Sequence, residues 1–552
     1  MNRVIAFFVL MALGSVPPGC AHQGNLRSGS AVKAAPKLVV VLVIDQFRAD
    51  FLSRFKKRFL PAQSNDGTVG GFNYLMEQGA YFPQAEYNVL QAMTAPGHAT
   101  IVTGAYAYRH GVPLNSWFNS EKGEREYCVQ NSDYQLVGAK NTKSAYSGTA
   151  PAALMGPTLG DAVKNAGHRS RVVTVAIKNR AAILMGGYRA DLAVWLEEKS
   201  FRWVTSSYYV KDGKLPGWLA AQNSAIQKRM GEEIRWSADG EGSGLSDDGP
   251  KGGFVRRFKF GSFDSIRSPL HADLTVDVAL SAVKHYGLGG GDSPDILAVS
   301  FSGHDFLGHL LGPNRREMEE LTVAEDRTIA RFLNGLNKMV PGGLGSIVLA
   351  FTGDHGIPPS SSYLKERRVP AGYVDHKEMI AYLNKRLNSQ FKNAPSRGWV
   401  RYATNFNFYL DHSAVAAAGH DREALERALK AALISRPEFN YVMTRSEHSR
   451  GVYPPGLYGE QAVHSYFPGR SGDVVAIPRP FFIKGGTSKA SHLSGYTYDR
   501  MVPLILAGPT IRPGIYSSRA EIVDLAPTLA WMLGVVPPAL TEGRVLSEIF
   551  QQ

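Results

Sequence analysis

The sequence predicts an α/β fold with a mostly parallel central sheet and helices on both faces. Four apolar, β-branched runs each have the length of one strand, and they lie at 37–45, 171–178, 295–301 and 346–351. Continuous runs of this kind are typical of parallel strands that are buried on both faces. Helical segments alternate with them, and that alternation is typical of a parallel α/β sheet.

The helical segments are predicted from the spacing of their apolar residues. In the longest segment, 315–339, Ile329, Phe332, Leu333 and Leu336 recur at helical spacing. The other predicted helices are 71–79, 96–106, 158–166, 375–391, 421–433 and 524–533. A further strand is predicted at 502–508, where the chain returns to the sheet.

Three longer stretches interrupt the alternation, at 112–155, 198–268 and 357–480. Candidate functional residues lie on both sides of each stretch. We therefore interpret the stretches as insertions that cover the functional edge of the sheet, not as separate domains. The prediction is one catalytic domain that extends over 37–552.

The amino-terminal residues 1–21 have the composition of an export signal, with a charged start, an apolar run and small residues. The run is too short to span a bilayer, and 22–36 would follow as a flexible leader. Cys20 also fits the lipid-attachment site of a bacterial lipoprotein, which would shorten the signal to 1–19. We expect an exported protein, either free in the bacterial periplasm or tethered to the outer membrane.

Composition limits the partners. The chain has 552 residues, of which 44% are hydrophobic, and this is enough to bury a large core. The formal net charge is +13 without a dense basic tract. We interpret this charge as a solvated surface that attracts small anionic substrates, and not as a nucleic-acid groove. Cys128 would be the only thiol besides Cys20, so no internal disulfide is expected, and the sequence does not indicate an oligomeric state.

Carboxylate and imidazole groups follow three of the predicted strands. Asp45 ends the first strand, Asp305 and His309 follow the third, and Asp354 and His355 follow the fourth. A spacing of four residues places Asp305 and His309 on one face of a helix. Parallel strands end at one edge of a sheet, and these residue types are ligands that zinc favours. The sequence therefore predicts a metal site at this edge.

Thr94 lies in the stretch 91–100, at a predicted turn from strand to helix. We predict that it is the N-cap of the helix. The positive end of a helix favours anions, so the position suits a hydroxyl group that must meet a phosphate.

Four motifs occur in a fixed order, at 43–45, 94–98, 305–309 and 352–356. Together they resemble the alkaline phosphatase superfamily in its phosphodiesterase/nucleotide pyrophosphatase-like branch, over about 37–550. The resemblance implies an alkaline-phosphatase-like fold, with the insertions forming a cap, and a site that holds two zinc ions per chain.

The resemblance also assigns the zinc ligands by position. One zinc ion would be held by Asp305, His309 and a late histidine. The other would be held by Asp45, Asp354, His355 and the nucleophile Thr94. We expect the late histidine to be His492, because the sequence after it returns to a strand. Relatives keep a glycine after this histidine, where this chain has Leu493, and His464 is the reserve candidate.

Further residues bear on the substrate. Sulfatases share the layout but carry a Cys/Ser-x-Pro-x-Arg motif, and this chain has Thr94 and His98 at the corresponding positions. Asn115, Lys178 and Arg180 resemble the phosphate-binding residues of monoesterase-type alkaline phosphatases with a threonine nucleophile. Two fixed cations also suit the additional negative charge of a monoester.

The sequence therefore predicts an exported zinc-dependent alkaline phosphatase that hydrolyses phosphate monoesters through a phosphothreonine intermediate. Its partners would be small phosphorylated substrates, with a membrane contact only through a lipid anchor. One alternative is a phosphodiesterase or nucleotide pyrophosphatase of the same superfamily. A remote alternative is a surface protein that binds zinc and anions without catalysis.

Overall fold

A ten-stranded sheet forms the centre of the protein. The structure is a computed structural model that describes residues 35–139, 148–240, 242 and 252–550. The predicted signal peptide, Cys20 and almost all of the predicted leader lie outside these residues and stay predictions. Among the described residues, no helix is long and apolar enough to cross a membrane.

The strands are β1 (Leu38–Ile44), β2 (Gly79–Glu86), β3 (Ser116–Asn119), β4 (Glu124–Tyr127), β5 (Leu136–Val137), β6 (Val172–Ala176), β7 (Leu192–Glu197), β8 (Arg202–Ser206), β9 (Glu233–Ser237), β10 (Val255–Lys259), β11 (Asp295–Phe301), β12 (Ile347–Gly353), β13 (Gly372–Val374), β14 (Val400–Thr404), β15 (Asn407–Leu410), β16 (Phe439–Thr444), β17 (Val474–Pro478), β18 (Phe482–Lys484), β19 (Met501–Ala507) and β20 (Gly514–Ile515).

The helices are α1 (Asp50–Phe55), α2 (Phe72–Gln78), α3 (Thr94–Thr103), α4 (Ala107–His110), α5 (Leu159–Asn165), α6 (Asn179–Gly186), α7 (Gly217–Arg229), α8 (Phe263–Ile266), α9 (Leu270–Tyr286), α10 (Gly303–Leu311), α11 (Arg316–Met339), α12 (Ser361–Glu366), α13 (His376–Asn388), α14 (His412–Ala417), α15 (Arg422–Ile434), α16 (Arg445–Ser449), α17 (Leu457–Ser465), α18 (Thr497–Arg500) and α19 (Leu525–Met532).

The strand order of the central sheet is β20-β2-β19-β12-β1-β11-β6-β7-β8-β5. The central strands β12, β1, β11, β6 and β7 are parallel to one another. The flanking strand β19 runs antiparallel to β12. The predicted mostly parallel sheet is therefore confirmed, and its middle consists of the four apolar runs together with β7.

Helices cover both faces of the sheet. Successive side chains of a strand point to opposite faces, so each buried strand contributes to a core cluster on either side. Leu38, Val40, Leu42 and Ile44 of β1 pack in one core cluster with residues of α9 and α11. Val39, Val41 and Val43 pack in a second cluster with residues of α3, α5 and α19. Every residue of β1 is buried, which explains why the strand reads as one unbroken apolar run.

The predicted insertion 357–480 contains more than helices. A four-stranded antiparallel sheet with the order β14-β15-β17-β16 lies within it. Helices α13 and α15 pack on this sheet, with Leu383 and Leu429 among the residues of their shared apolar cluster. The sequence analysis found the helices but missed these strands. Ala35–Gln552 forms one compact unit.

Candidate active site

The carboxyl ends of the central parallel strands lie level with one another. Ile44, the last residue of β1, pairs with Phe301 of β11 on one side and with Gly353 of β12 on the other. The polar residues that follow these strands therefore emerge at one edge of the sheet. On the far side of β11, Ser300 pairs with Ala176 of β6, and this register brings Lys178 to the same edge.

Asp305, His309 and His492 form the first of two candidate metal groups, with ligand atoms that all lie within 4.8 Å of one another. Asp305 and His309 lie on α10, one helical turn apart, as predicted. Asp305 Oδ1 is 3.1 Å from His309 Nε2 and 3.6 Å from His492 Nε2. His492 arrives from a loop that is distant in sequence, and it completes the group.

Asp45, Asp305 and His355 form the second candidate metal group. His355 Nε2 is 3.4 Å from Asp45 Oδ1 and 3.6 Å from Asp354 Oδ2. Asp354 thus lies beside this group, and its Oδ2 is also 3.2 Å from His98 Nδ1. The sequence analysis assigned Asp305 to one metal ion only, whereas the structure places it in both groups.

The three histidines present the same ring nitrogen to the site. His309, His355 and His492 each place Nδ1 within hydrogen-bonding distance of a backbone carbonyl, of Ala490, Gly356 and Ala92 respectively. A carbonyl oxygen can only accept, so Nδ1 carries a proton and Nε2 is the nitrogen directed at the site. Outer hydrogen bonds of this kind are how metal-binding histidines are oriented.

The buried atoms of the second group fit a metal ion. Within the described part of the chain, Asp45 Oδ1 and His355 Nε2 make no hydrogen bond, although both residues are fully buried. Buried polar atoms without partners are energetically costly. A divalent cation that binds nitrogen and oxygen ligands, as zinc does, would satisfy them. Burial lowers the pKa of His355 to about 3, which keeps the imidazole neutral and able to bind a metal.

Lys178 lies between the carboxylates of the two groups. Its Nζ is 2.6 Å from Asp45 Oδ2 and 2.5 Å from Asp305 Oδ2. Burial disfavours the ammonium ion, but Asp305 and Asp45 outweigh burial and raise the pKa of Lys178. Burial and the nearby charge of Asp354 raise the pKa of Asp45 well above its usual range. A buried cation is the natural counter-charge for this acidic cluster.

Thr94 is the first residue of α3 and not its N-cap, so the predicted cap is wrong. Met93 occupies the cap position, with extended backbone angles of φ −161° and ψ 168°. The Thr94 hydroxyl instead accepts a hydrogen bond from Arg180 Nη2 over 3.3 Å. The helix also begins earlier than the predicted 96–106, because Thr94 and Ala95 already adopt helical geometry.

Asn115 takes over part of the capping role. Its Oδ1 accepts a hydrogen bond of 2.8 Å from the backbone N–H of Ala95, in the first turn of α3. This contact fixes which way the Asn115 amide faces and leaves Nδ2 as its donor. The resemblance predicted that Asn115 would bind phosphate, and the structure places it against the helix that carries Thr94.

Two further residues that contact the site were missed by the sequence analysis. The Tyr127 hydroxyl donates to Asn179 Oδ1 over 2.7 Å and accepts a hydrogen bond of 3.4 Å from Arg180 Nη1. Gln46 donates hydrogen bonds to Asp354 and Asp305. For Gln46, the only sequence signal was its position directly after Asp45.

The reserve histidine lies elsewhere. His464 Nδ1 contacts the carbonyl of Asn88 at 2.7 Å, and its ring stacks on Tyr106 with centroids 4.4 Å apart. The structure therefore brings His492, and not His464, to Asp305. Cys128 is a free, buried thiol, and burial raises its pKa to about 12.

Comparison with known proteins identifies the family. The sequence model of the type I phosphodiesterase / nucleotide pyrophosphatase family matches residues 39–492. The chain belongs to this family. It is 29% identical to a protein named calcium-transporting ATPase from Myroides odoratus, over 94% of this chain and 95% of that protein. It is 27% identical to the alkaline phosphatase PafA of Elizabethkingia meningoseptica, over 93% of this chain and 94% of that protein.

The fold agrees with this family membership. The crystal structure of wild-type PafA superposes with a TM-score of 0.82 at 26% identity, and the match covers 95% of this chain and 100% of PafA. The predicted alkaline-phosphatase-like fold is thus confirmed. The chain is a phosphoric ester hydrolase of the alkaline phosphatase superfamily, in a PafA-like branch.

Proposed function

We propose that this enzyme hydrolyses phosphate monoesters through a phosphothreonine formed on Thr94, with two zinc ions bound by the Asp/His groups. The contact between Arg180 and the Thr94 hydroxyl carries the proposal. It supports the proposal because a fixed cation beside the Thr94 hydroxyl would attract the negatively charged phosphoryl group of a substrate.

The proposed metal ligands follow the two groups at the sheet edge. One ion would be held by Asp305, His309 and His492. The other would be held by Asp45, Asp354, His355 and the Thr94 hydroxyl. When bound, such ions lower the pKa of a hydroxyl group or water molecule and offset the charge that develops on the attacking and leaving oxygens.

The reaction takes place in two steps. In the first, the Thr94 hydroxyl gives its proton to solvent while Oγ1 forms a bond to phosphorus, the bond to the ester oxygen breaks, and the alcohol leaves with a proton from water. In the second, water attacks the phosphothreonine, the bond between Oγ1 and phosphorus breaks, one proton of the water passes to Oγ1, and inorganic phosphate is released. Arg180 and the Asn115 amide donate hydrogen bonds to the non-bridging oxygens in both steps. The Lys178 ammonium adds positive charge nearby.

Charge favours a monoester over a diester as substrate. A monoester dianion carries one negative oxygen more than a diester, so Arg180 and Lys178 stabilise it more strongly. The alkaline phosphatase names of relatives such as PafA support the same conclusion. The description of the family itself favours the second candidate, a phosphodiesterase or nucleotide pyrophosphatase.

Two measurements test the proposal. The first compares kcat/KM for an aryl phosphate and for its methyl diester, and we expect the monoester to be preferred. The second compares wild type with Thr94→Ala and Thr94→Ser after acid quenching of the reaction, with mass spectrometry of the peptide around residue 94.

We expect phosphothreonine in wild type, phosphoserine in Thr94→Ser, and neither turnover nor phosphopeptide in Thr94→Ala. Circular dichroism and zinc content serve as controls for folding and metal loading. Full turnover by Thr94→Ala would refute the assignment of Thr94 as the nucleophile. A strong preference for the diester would favour the second candidate, a phosphodiesterase or nucleotide pyrophosphatase.

A further inference from the structure

Gln46 contacts carboxylates of both candidate metal groups. Its backbone N–H donates to Asp354 Oδ1 over 2.9 Å, and its side-chain Nε2 donates to Asp305 Oδ1 over 2.7 Å. Gln46 is completely buried. One residue, placed directly after Asp45, thus joins the chain segments that follow β1, β11 and β12.

The backbone of Gln46 is strained in a way that serves these contacts. Its φ is +68°, in the left-handed region that residues other than glycine rarely adopt. Such conformations persist only where the surrounding structure enforces them, and they concentrate at functional sites. Here the turn directs both the N–H group and the side chain of Gln46 towards the neighbouring carboxylates.

Helix α10 leaves room for the Gln46 carboxamide. A Cβ atom at Gly308 would lie 2.0 Å from Gln46 Oε1, so any larger residue at this position would displace the amide. Gly308 stands between Asp305 and His309 on α10. The absence of a side chain at Gly308 therefore lets the helix that carries two candidate metal ligands approach Gln46 closely.

The hydrogen bond from Gln46 Nε2 to Asp305 Oδ1 determines which way the Asp305 carboxylate faces. Oδ1 lies towards His309 and His492, at 3.1 and 3.6 Å, and Oδ2 lies towards Lys178. A carboxylate oxygen has two lone-pair directions. Because Gln46 Nε2 takes one direction at Oδ1, the other remains for the histidine side.

We propose that Gln46 is a positioning residue that fixes Asp305 and Asp354 together and so sets the metal affinity of the site. Its carboxamide fixes the rotation of Asp305, and its N–H fixes Asp354. This inference rests on the proposed function, because it requires that the two Asp/His groups bind metal ions. Gln46 acts through these two carboxylates.

The test is zinc binding, measured by competition with a chromophoric chelator and by zinc content after dialysis. Gln46→Gly tolerates the positive φ and keeps the N–H, but it removes the carboxamide. We expect at least one of two bound zinc ions to bind ~10- to 100-fold more weakly, the usual effect of losing an outer hydrogen bond to a metal ligand. Saturating zinc should restore much of the lost turnover.

Two other variants sharpen the test. Asn393 has a φ of +56° and is exposed, so Asn393→Gly makes a matched change in backbone freedom away from the site and should leave zinc affinity unchanged. Gln46→Glu keeps the size of the side chain but places an acceptor against Asp305 Oδ1. It should weaken zinc binding as well, and it provides a second measurement if Gln46→Gly folds poorly.

The outcomes separate this inference from the proposed function. If wild type binds two zinc ions and both Gln46 variants bind them equally tightly, the positioning role is wrong while the metal assignment stands. If wild type binds no zinc, both are wrong. Weaker zinc binding in Asn393→Gly as well would show a general loss of stability and would overturn the specific role of Gln46.

Discussion

Replacing Arg180 with glutamine tests how the site recognises a monoester. The variant removes the guanidinium group whose Nη2 lies 3.3 Å from Thr94 Oγ1. A hydrogen bond to a charged group contributes about 1.5–3 kcal/mol. Because each 1.4 kcal/mol is about a factor of ten in rate, we expect kcat/KM for an aryl phosphate to fall about 10- to 150-fold. A diester carries less charge, so its kcat/KM should fall less.

The assay is steady-state hydrolysis of an aryl phosphate and of its methyl diester by wild type, Arg180→Gln and Arg397→Gln. Arg397 is exposed and provides the matched loss of one surface cation. The ratio of monoester to diester kcat/KM should fall for Arg180→Gln only. An unchanged ratio in Arg180→Gln would refute the argument that Arg180 stabilises the additional negative charge of a monoester.

Three further predictions concern packing, metal and pH. A Cβ atom at Gly97 would lie 2.5 Å from the Asp354 carbonyl oxygen, so Gly97→Ala should displace α3 and lower kcat by about 100-fold, the cost of a displacement of about 1 Å. Chelation should abolish turnover and lower Tm, because ions that bind only the folded protein stabilise it and their loss leaves Asp45 Oδ1 and His355 Nε2 without a partner, and zinc should restore both. Burial lowers the pKa of His110 to about 3. As the pH falls, His110 therefore takes up a proton in the unfolded chain before it does so in the folded protein. Its neutral form contributes fully to the free energy of unfolding above about pH 6.5, and this contribution should decline towards pH 3 by up to about 1.4 kcal/mol per pH unit. The free energy of unfolding, measured with urea between pH 7 and pH 5, should depend less steeply on pH for His110→Asn than for wild type.

Each of these predictions has a contradicting result. A wild-type kcat in Gly97→Ala would mean that α3 does not need its close approach to Asp354. Full activity after exhaustive chelation, in protein whose metal content has been verified as negligible, would show that the reaction does not require a metal ion. Parallel pH slopes for wild type and His110→Asn would show that His110 does not contribute to acid unfolding.

The sequence was sufficient for the parts of the fold that depend on local pattern. The buried run of β1 is apolar on both faces, so its strand is evident without the structure. The spacing of Asp305 and His309 predicted a shared helix face, and α10 confirms it. The motifs at the strand ends, read in order, were enough to name the superfamily.

The strands β14–β17 were missed for a physical reason. β14 and β15 form a short hairpin, but β17 joins it to β16 through pairs of residues far apart in the chain, such as Val442 of β16 with Ala476 of β17. Such pairings depend on how the whole insertion packs, while a helix such as α15 is visible from its own apolar spacing.

The sequence by itself determined which residue types lie at the carboxyl ends of the central strands, because strand periodicity and helical spacing are local properties of the chain. Only the tertiary structure decided how those residues meet. It placed Asp305 in both candidate metal groups, Lys178 between two carboxylates, and Gln46 in a strained turn that contacts Asp305 and Asp354. It also moved the cap position from Thr94 to Met93. These outcomes depend on contacts between segments that are distant in sequence, and the packing of the whole sheet, not local pattern, determines the energy of those contacts.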